Sequence, residues 1–123
     1  MQIEPEGSRA MIQALRREGA RGPWLALLED LLRLAGPAAQ FLHHAEKPWS
    51  SATFAGARHR IAFAFEGPEA VAAGETFIAA LPGHAFTLRG HLVVDATVSA
   101  AEHSLVDRPR LSVEAELLVL DDA

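Results

Sequence analysis

The 123-residue chain contains no cysteine. Disulfide staples, thiolate metal sites, iron–sulfur clusters and cysteine nucleophiles are therefore excluded. The same absence fits a reducing compartment. Long apolar runs are also missing. The longest strongly apolar stretch, Trp24 to Ala35, is interrupted by Glu29, Asp30 and Arg33. A membrane span needs about 20 mostly apolar residues. The opening Met1-Gln2-Ile3-Glu4-Pro5-Glu6 is acidic and lacks the basic end and apolar stretch of a secretion signal. The expectation is a cytoplasmic protein with no membrane partner.

Basic charge is scarce and unevenly placed. Eleven Lys and Arg face 16 Asp and Glu, for a net charge of −5. Residues 1–60 hold 8 basic and 6 acidic side chains, a net +2. Residues 61–123 hold 3 basic and 10 acidic, a net −7. A nucleic-acid binder should show a basic domain or stripe. The Arg58-His59-Arg60 run does not make one, because strand alternation turns His59 away from the two arginines. No nucleic-acid partner is expected. Lysine occurs once, at Lys47, and alanine fills about a fifth of the chain. That bias points to a GC-rich bacterial genome, since average usage holds much less alanine.

What is present is enough for one core. Half the residues are apolar, and a chain of this length buries about two-thirds of its unfolded surface. One domain over residues 1–123 is expected, with a helical part over 1–45 and a sheet part over 46–123. Ser8 caps a predicted helix over 9–18, which Gly19 stops. Gly22-Pro23 opens a second, whose stripe of Trp24, Leu27, Leu28, Leu31, Leu32 and Leu34 ends at Gly36-Pro37. The two make a helical hairpin. Residues 38–45 read as a further helical turn or two, closed by Pro48.

The period then changes. Residues 49–54 and 58–65, about a turn at Ala55-Gly56, read as a β-hairpin, with His59, Ile61, Phe63 and Phe65 on one face. Gly67-Pro68-Glu69 starts a helix running to Leu81. A long strand over 85–99 follows, with a bulge expected at Gly90. In it Leu92, Val94, Ala96 and Val98 point inward, and His91, Val93, Asp95 and Thr97 outward. The last strand covers 110–120. The sum is an α+β two-layer domain: a helical hairpin, then a ββαββ unit with an antiparallel or mixed four-stranded sheet.

No motif fixes a reaction. There is no Gly-x-Ser-x-Gly elbow and no glycine-rich phosphate loop. His103, Ser104 and Asp107 share one loop, whereas triad members come from separate rigid elements. No catalytic residue and no cofactor is assigned. His43 and His44 fall in the segment read as helical, where the i, i+4 partner of His43 is Lys47, not a ligand. His59 and His91 are expected on opposite sides of the sheet unless the bulge at Gly90 shifts the phase of His91. No metal site is expected.

Two surfaces remain. Alternation gathers Arg58, Arg60, Arg89, His91 and Asp95 on the outer sheet face, beside Glu114 and Glu116. Such a face is ordinarily solvated, with opposite charges paired across strands. As an anion site, the three arginines would hold a carboxylate or phosphate, with His91 or Asp95 carrying the proton. Val93, Leu118 and Leu120 on the same face favour self-association instead. The second surface is the leucine helix, where Trp24, Leu28, Leu31 and Leu32 are the interface candidates. The reading is a non-catalytic interaction module, acting as a homodimer or with an unidentified protein partner. The alternative is an anionic small-molecule binder or enzyme using the Arg/His/Asp face.

Overall fold

The computed structural model describes residues 23–121. The helix expected over 9–18, and with it the helical hairpin, lies outside the described residues. The chain runs α1 (Trp24–Ala35), β1 (Gln40–Ser50), β2 (Ala55–Glu66), α2 (Pro68–Ala80), a short 3₁₀ turn (Leu81–Gly83), β3 (His91–Ser104) and β4 (Arg110–Asp121). The four strands form one antiparallel sheet in the order β1-β2-β4-β3. This is an α+β fold. No helix among the described residues is long and apolar enough to cross a membrane.

α1 begins where Pro23 presets the helical backbone; the Leu27 N–H donates to the Pro23 carbonyl at 2.9 Å. It ends at Gly36, whose φ of +89° suits a residue without Cβ. Leu27, Leu28 and Leu31 are fully buried against Ile61, Phe63, Phe65 and Leu117 in one core cluster. Helix α2 closes the same core. Its Gly74 lies so near the sheet that a Cβ there would stand 2.7 Å from Leu111 and 2.8 Å from Phe65. The helix gives up about 1 kcal/mol of propensity for that close approach.

Three segments differ from the sequence reading. Residues 40–45 belong to strand β1, not to a helical extension. The β1–β2 turn is at residues 51–54, where Ser51 Oγ accepts the Phe54 N–H at 3.0 Å, not at Ala55-Gly56. Strand β3 starts at His91. Gly90, with φ +76°, shapes the turn that enters β3 and is not a bulge within it.

The register slips of β3 fall between Val93 and Asp95 and between Val98 and Ala100. They put Val93, Ala96 and Val98 opposite core residues of β4, and Leu92 opposite Leu120 on the other face. Edge strand β1 has a similar slip between Phe41 and His43. Beyond it, Phe41, His44 and Glu46 share the helix-covered face with His59, Ile61 and Phe63.

Candidate functional site

Both described helices pack on one face of the sheet; no described element covers the other. That open face is split by charge. On β1 and β2 it carries Lys47, Arg58 and Arg60. On β4 and β3 it carries Glu114, Glu116, Asp95 and Glu102. Arg60 meets Glu116 across the dividing line at 3.5 Å. Ser99 donates to Glu114 at 2.7 Å. At one end Glu66 and Arg110 pair at 2.5 Å and cancel. Lys47, Arg58, Asp95 and Glu102 form no ion pair with another described residue.

The floor of this face is apolar. Ala62, Ala64, Leu118 and Leu120 turn outward by register yet are buried. Leu92 and Val94 on β3 are half exposed. A shallow depression of about 240 Å³ runs over all four strands between Leu42, Ala62, Glu114 and Ala100.

The residues proposed from sequence as an anion site are not brought together. Arg58 and Arg60 lie on the basic half and Asp95 on the acidic half of the open face. Arg89 is in the turn before β3, and His91 shares the helix-side register of Val93, where it faces Asp121 at 3.5 Å. The slip after Val93 breaks the alternation on which the grouping relied. The proposed interface residues are likewise committed. Leu28 and Leu31 are fully buried, Leu32 is 7% exposed, and only Trp24 is partly open.

A second polar cluster lies on the covered face, at the rim of the core. Among the described residues His59 is the one buried polar or charged residue, 1% exposed, on a strand otherwise facing inward with Ile61, Phe63 and Phe65. Its Nδ1 is 2.9 Å from Nε2 of His44. The His44 ring is stacked on Trp24, with centroids 4.2 Å apart and planes 4° from parallel. Glu46, exposed, stands directly opposite His59 in the β1–β2 register. Sequence reasoning missed this group because it placed His44 on a helix. On a strand, His44 and Glu46 at i and i+2 share a face.

Burial holds both imidazoles below the ordinary value of 6.5. For His44 the nearby His59 adds to that effect, while Glu46 opposes it; for His59, Glu46 opposes it and His91 adds to it. The unfolded chain therefore binds protons that the folded chain refuses. Stability is full above about pH 6.5, falls as pH drops through that value, and levels off below the folded pKa values. The melting temperature is expected to decline between pH 7.5 and about 5. His59→Gln should flatten that slope whatever it does to the absolute stability. An unchanged slope would mean the pair does not govern it.

No family model matches the sequence, and no curated protein matches it. The fold has solved counterparts. A chain of the "Virion of native gene transfer agent (GTA) particle" superposes with a TM-score of 0.56 at 21% identity, covering 79% of this chain and 90% of that one. At that identity the likeness shows a shared fold. The type 4 fimbrial biogenesis protein PilO from Pseudomonas aeruginosa matches at a TM-score of 0.41 and 15% identity, over 94% of this chain and 78% of its own. That likeness is too slight to argue from.

Proposed function

We propose that the chain is a non-catalytic interaction module that self-associates through the open face of its sheet. The observation that carries this reading is the charge split of that face. Consider two copies related by a two-fold axis parallel to the strands. The basic β1–β2 half of each then lies over the acidic β4–β3 half of the other. Lys47 of one copy comes to the row of Asp95 in the other, and Arg60 to the row of Glu116. An isologous interface needs this self-complementarity.

The area is also adequate. Strands of about 11 residues at about 3.3 Å each, four abreast at about 4.8 Å, give roughly 700 Å² per copy. The total of about 1,400 Å² falls within the range of stable complexes. Leu92, half exposed and paired with Leu120, adds an apolar patch toward one end of the face. The fold shared with a chain of a gene transfer agent virion agrees with a subunit of a larger assembly. The rival anion-site reading is weakened because, among the described residues, the Arg58, Arg60, Arg89, His91 and Asp95 set is dispersed.

Sedimentation velocity and native mass spectrometry of the untagged chain test it. A dimer is expected at low salt, with a dissociation constant that rises as sodium chloride rises, since exposed charges are screened beyond about 10 Å at 0.1 M. A monomer at every salt concentration would sink the proposal.

A further inference from the structure

The His44–His59–Glu46 cluster has a geometry that its packing does not require. An inward strand position within a core rim is ordinarily filled by an apolar side chain, as at Ile61 and Phe63. Here it holds an imidazole with a second imidazole aimed at it. We propose that His44 Nε2, His59 Nδ1 and a Glu46 carboxylate oxygen form a binding site for a divalent transition metal of the Zn²⁺ type.

Distances support the assignment. A metal ion about 2.0–2.1 Å from each nitrogen sets the two about 2.9 Å apart at a right-angled site and about 3.4 Å apart at a tetrahedral one. The two nitrogens are 2.9 Å apart in their hydrogen bond, so the rings need to part by only about 0.5 Å to hold a tetrahedral ion. The ligand atoms of all three residues lie within 4.8 Å of one another. Glu46 is exposed, so its flexible side chain can rotate to close the remaining gap. Two imidazoles and a carboxylate are donors that suit zinc and its neighbours, and not calcium or magnesium.

Order and charge agree. The Trp24 stack fixes the plane of the His44 ring before any ion arrives. His44 and His59 come from adjacent antiparallel strands, whose backbone pairing sets their separation. Burial favours the neutral form of both rings, which is the form that binds metal. When both are neutral, one nitrogen of the contact carries a proton and the other accepts it. Binding moves that proton to the far nitrogen of the same ring, so no proton need leave. The carboxylate supplies the one negative charge, and the open side at Glu46 gives the ion its way in and leaves a position for water. The bound ion would tie edge strand β1 to β2 and brace the first turn of α1 through Trp24.

The test uses the untagged full chain after dialysis against EDTA. Zn²⁺ is titrated by calorimetry, and Co²⁺ or Ni²⁺ by tryptophan emission in a Trp49→Phe background, where Trp24 is the only indole. The expected result is one Zn²⁺ per chain, a higher melting temperature, and quenching of Trp24 by the paramagnetic ions. His44→Ala should abolish binding. Glu46→Gln should raise the dissociation constant about tenfold or more, the loss that even a group supporting a ligand commonly causes. His103→Ala, in a histidine outside the cluster, should change nothing. Circular dichroism checks that each variant folds; if His44→Ala does not, the exposed Glu46→Gln decides alone. No saturable binding by the folded wild type, or binding that Glu46→Gln leaves unchanged, would overturn the proposal.

Discussion

Leu28→Glu is expected to abolish the cooperative folding of this chain. Leu28 is fully buried on the sheet-facing side of α1. Removing the leucine contacts costs about 2–5 kcal/mol. The new carboxylate would meet only apolar neighbours and would add several kcal/mol, or remain protonated at comparable expense. Small domains hold about 5–15 kcal/mol in total. Far-UV circular dichroism should therefore show lost helix and strand signal and no melting transition. Ala26→Glu, on the exposed side of the same helix, should change stability by no more than about 0.5 kcal/mol. A folded, monomeric Leu28→Glu would reverse the assignment. It would return this helix to the interface role its leucine stripe suggests when read alone.

Reversing one half of the open face should dissociate the proposed dimer, and reversing the opposite halves of two chains should restore it. Lys47→Glu with Arg60→Glu sets new carboxylates over the rows of Asp95 and Glu116. Asp95→Lys with Glu116→Lys sets new ammonium groups over the rows of Lys47 and Arg60. In those two rows each variant then meets its own charge sign across the two-fold axis. Like charges opposed in an interface cost several kcal/mol, so each variant alone should associate roughly a hundredfold more weakly than the wild type or worse. Mixed in equal amounts, the two should form a heterodimer at low salt. Native mass spectrometry separates the species by mass. If both variants remain dimeric alone, or if the mixture stays monomeric, the open face is not the interface.

The parts of the fold that were legible in the sequence are those with unbroken periodicity. Helix α1 announces itself through leucines at helical spacing between Pro23 and Gly36. Strands β2 and β4 pair without a slip, so alternate positions such as Ile61, Phe63 and Phe65 or Leu111, Val113 and Ala115 keep one inward face. The edge strands do not. In β1 the slip at Leu42 changes phase, and beyond it the inward residues are His44 and Glu46, which carry no apolar signal. Helix-forming alanines nearby then favoured the wrong element. In β3 the slip after Val93 leaves Leu92 outward and Val93 inward, the reverse of strict alternation counted back from Asp95.

This reversal turned His91 to the helix side, the late start of β3 left Arg89 in a turn, and the misread β1 hid the histidine cluster. The charge arithmetic carried further than the motifs. Part of that asymmetry reaches the open face, where Lys47, Arg58 and Arg60 lie on the β1–β2 side and Asp95, Glu102, Glu114 and Glu116 on the β4–β3 side.

The irregularities that obscured the edge strands have a consequence for assembly size. A smooth outer strand invites the next molecule to add its own backbone, and that addition can repeat without limit into fibres. Here β1 carries a slip and Pro48, which has no N–H to donate, and β3 carries two slips. Neither side offers a long even ladder to extend. That favours the closed two-fold contact proposed above over open-ended polymerisation, and a closed contact counts its members.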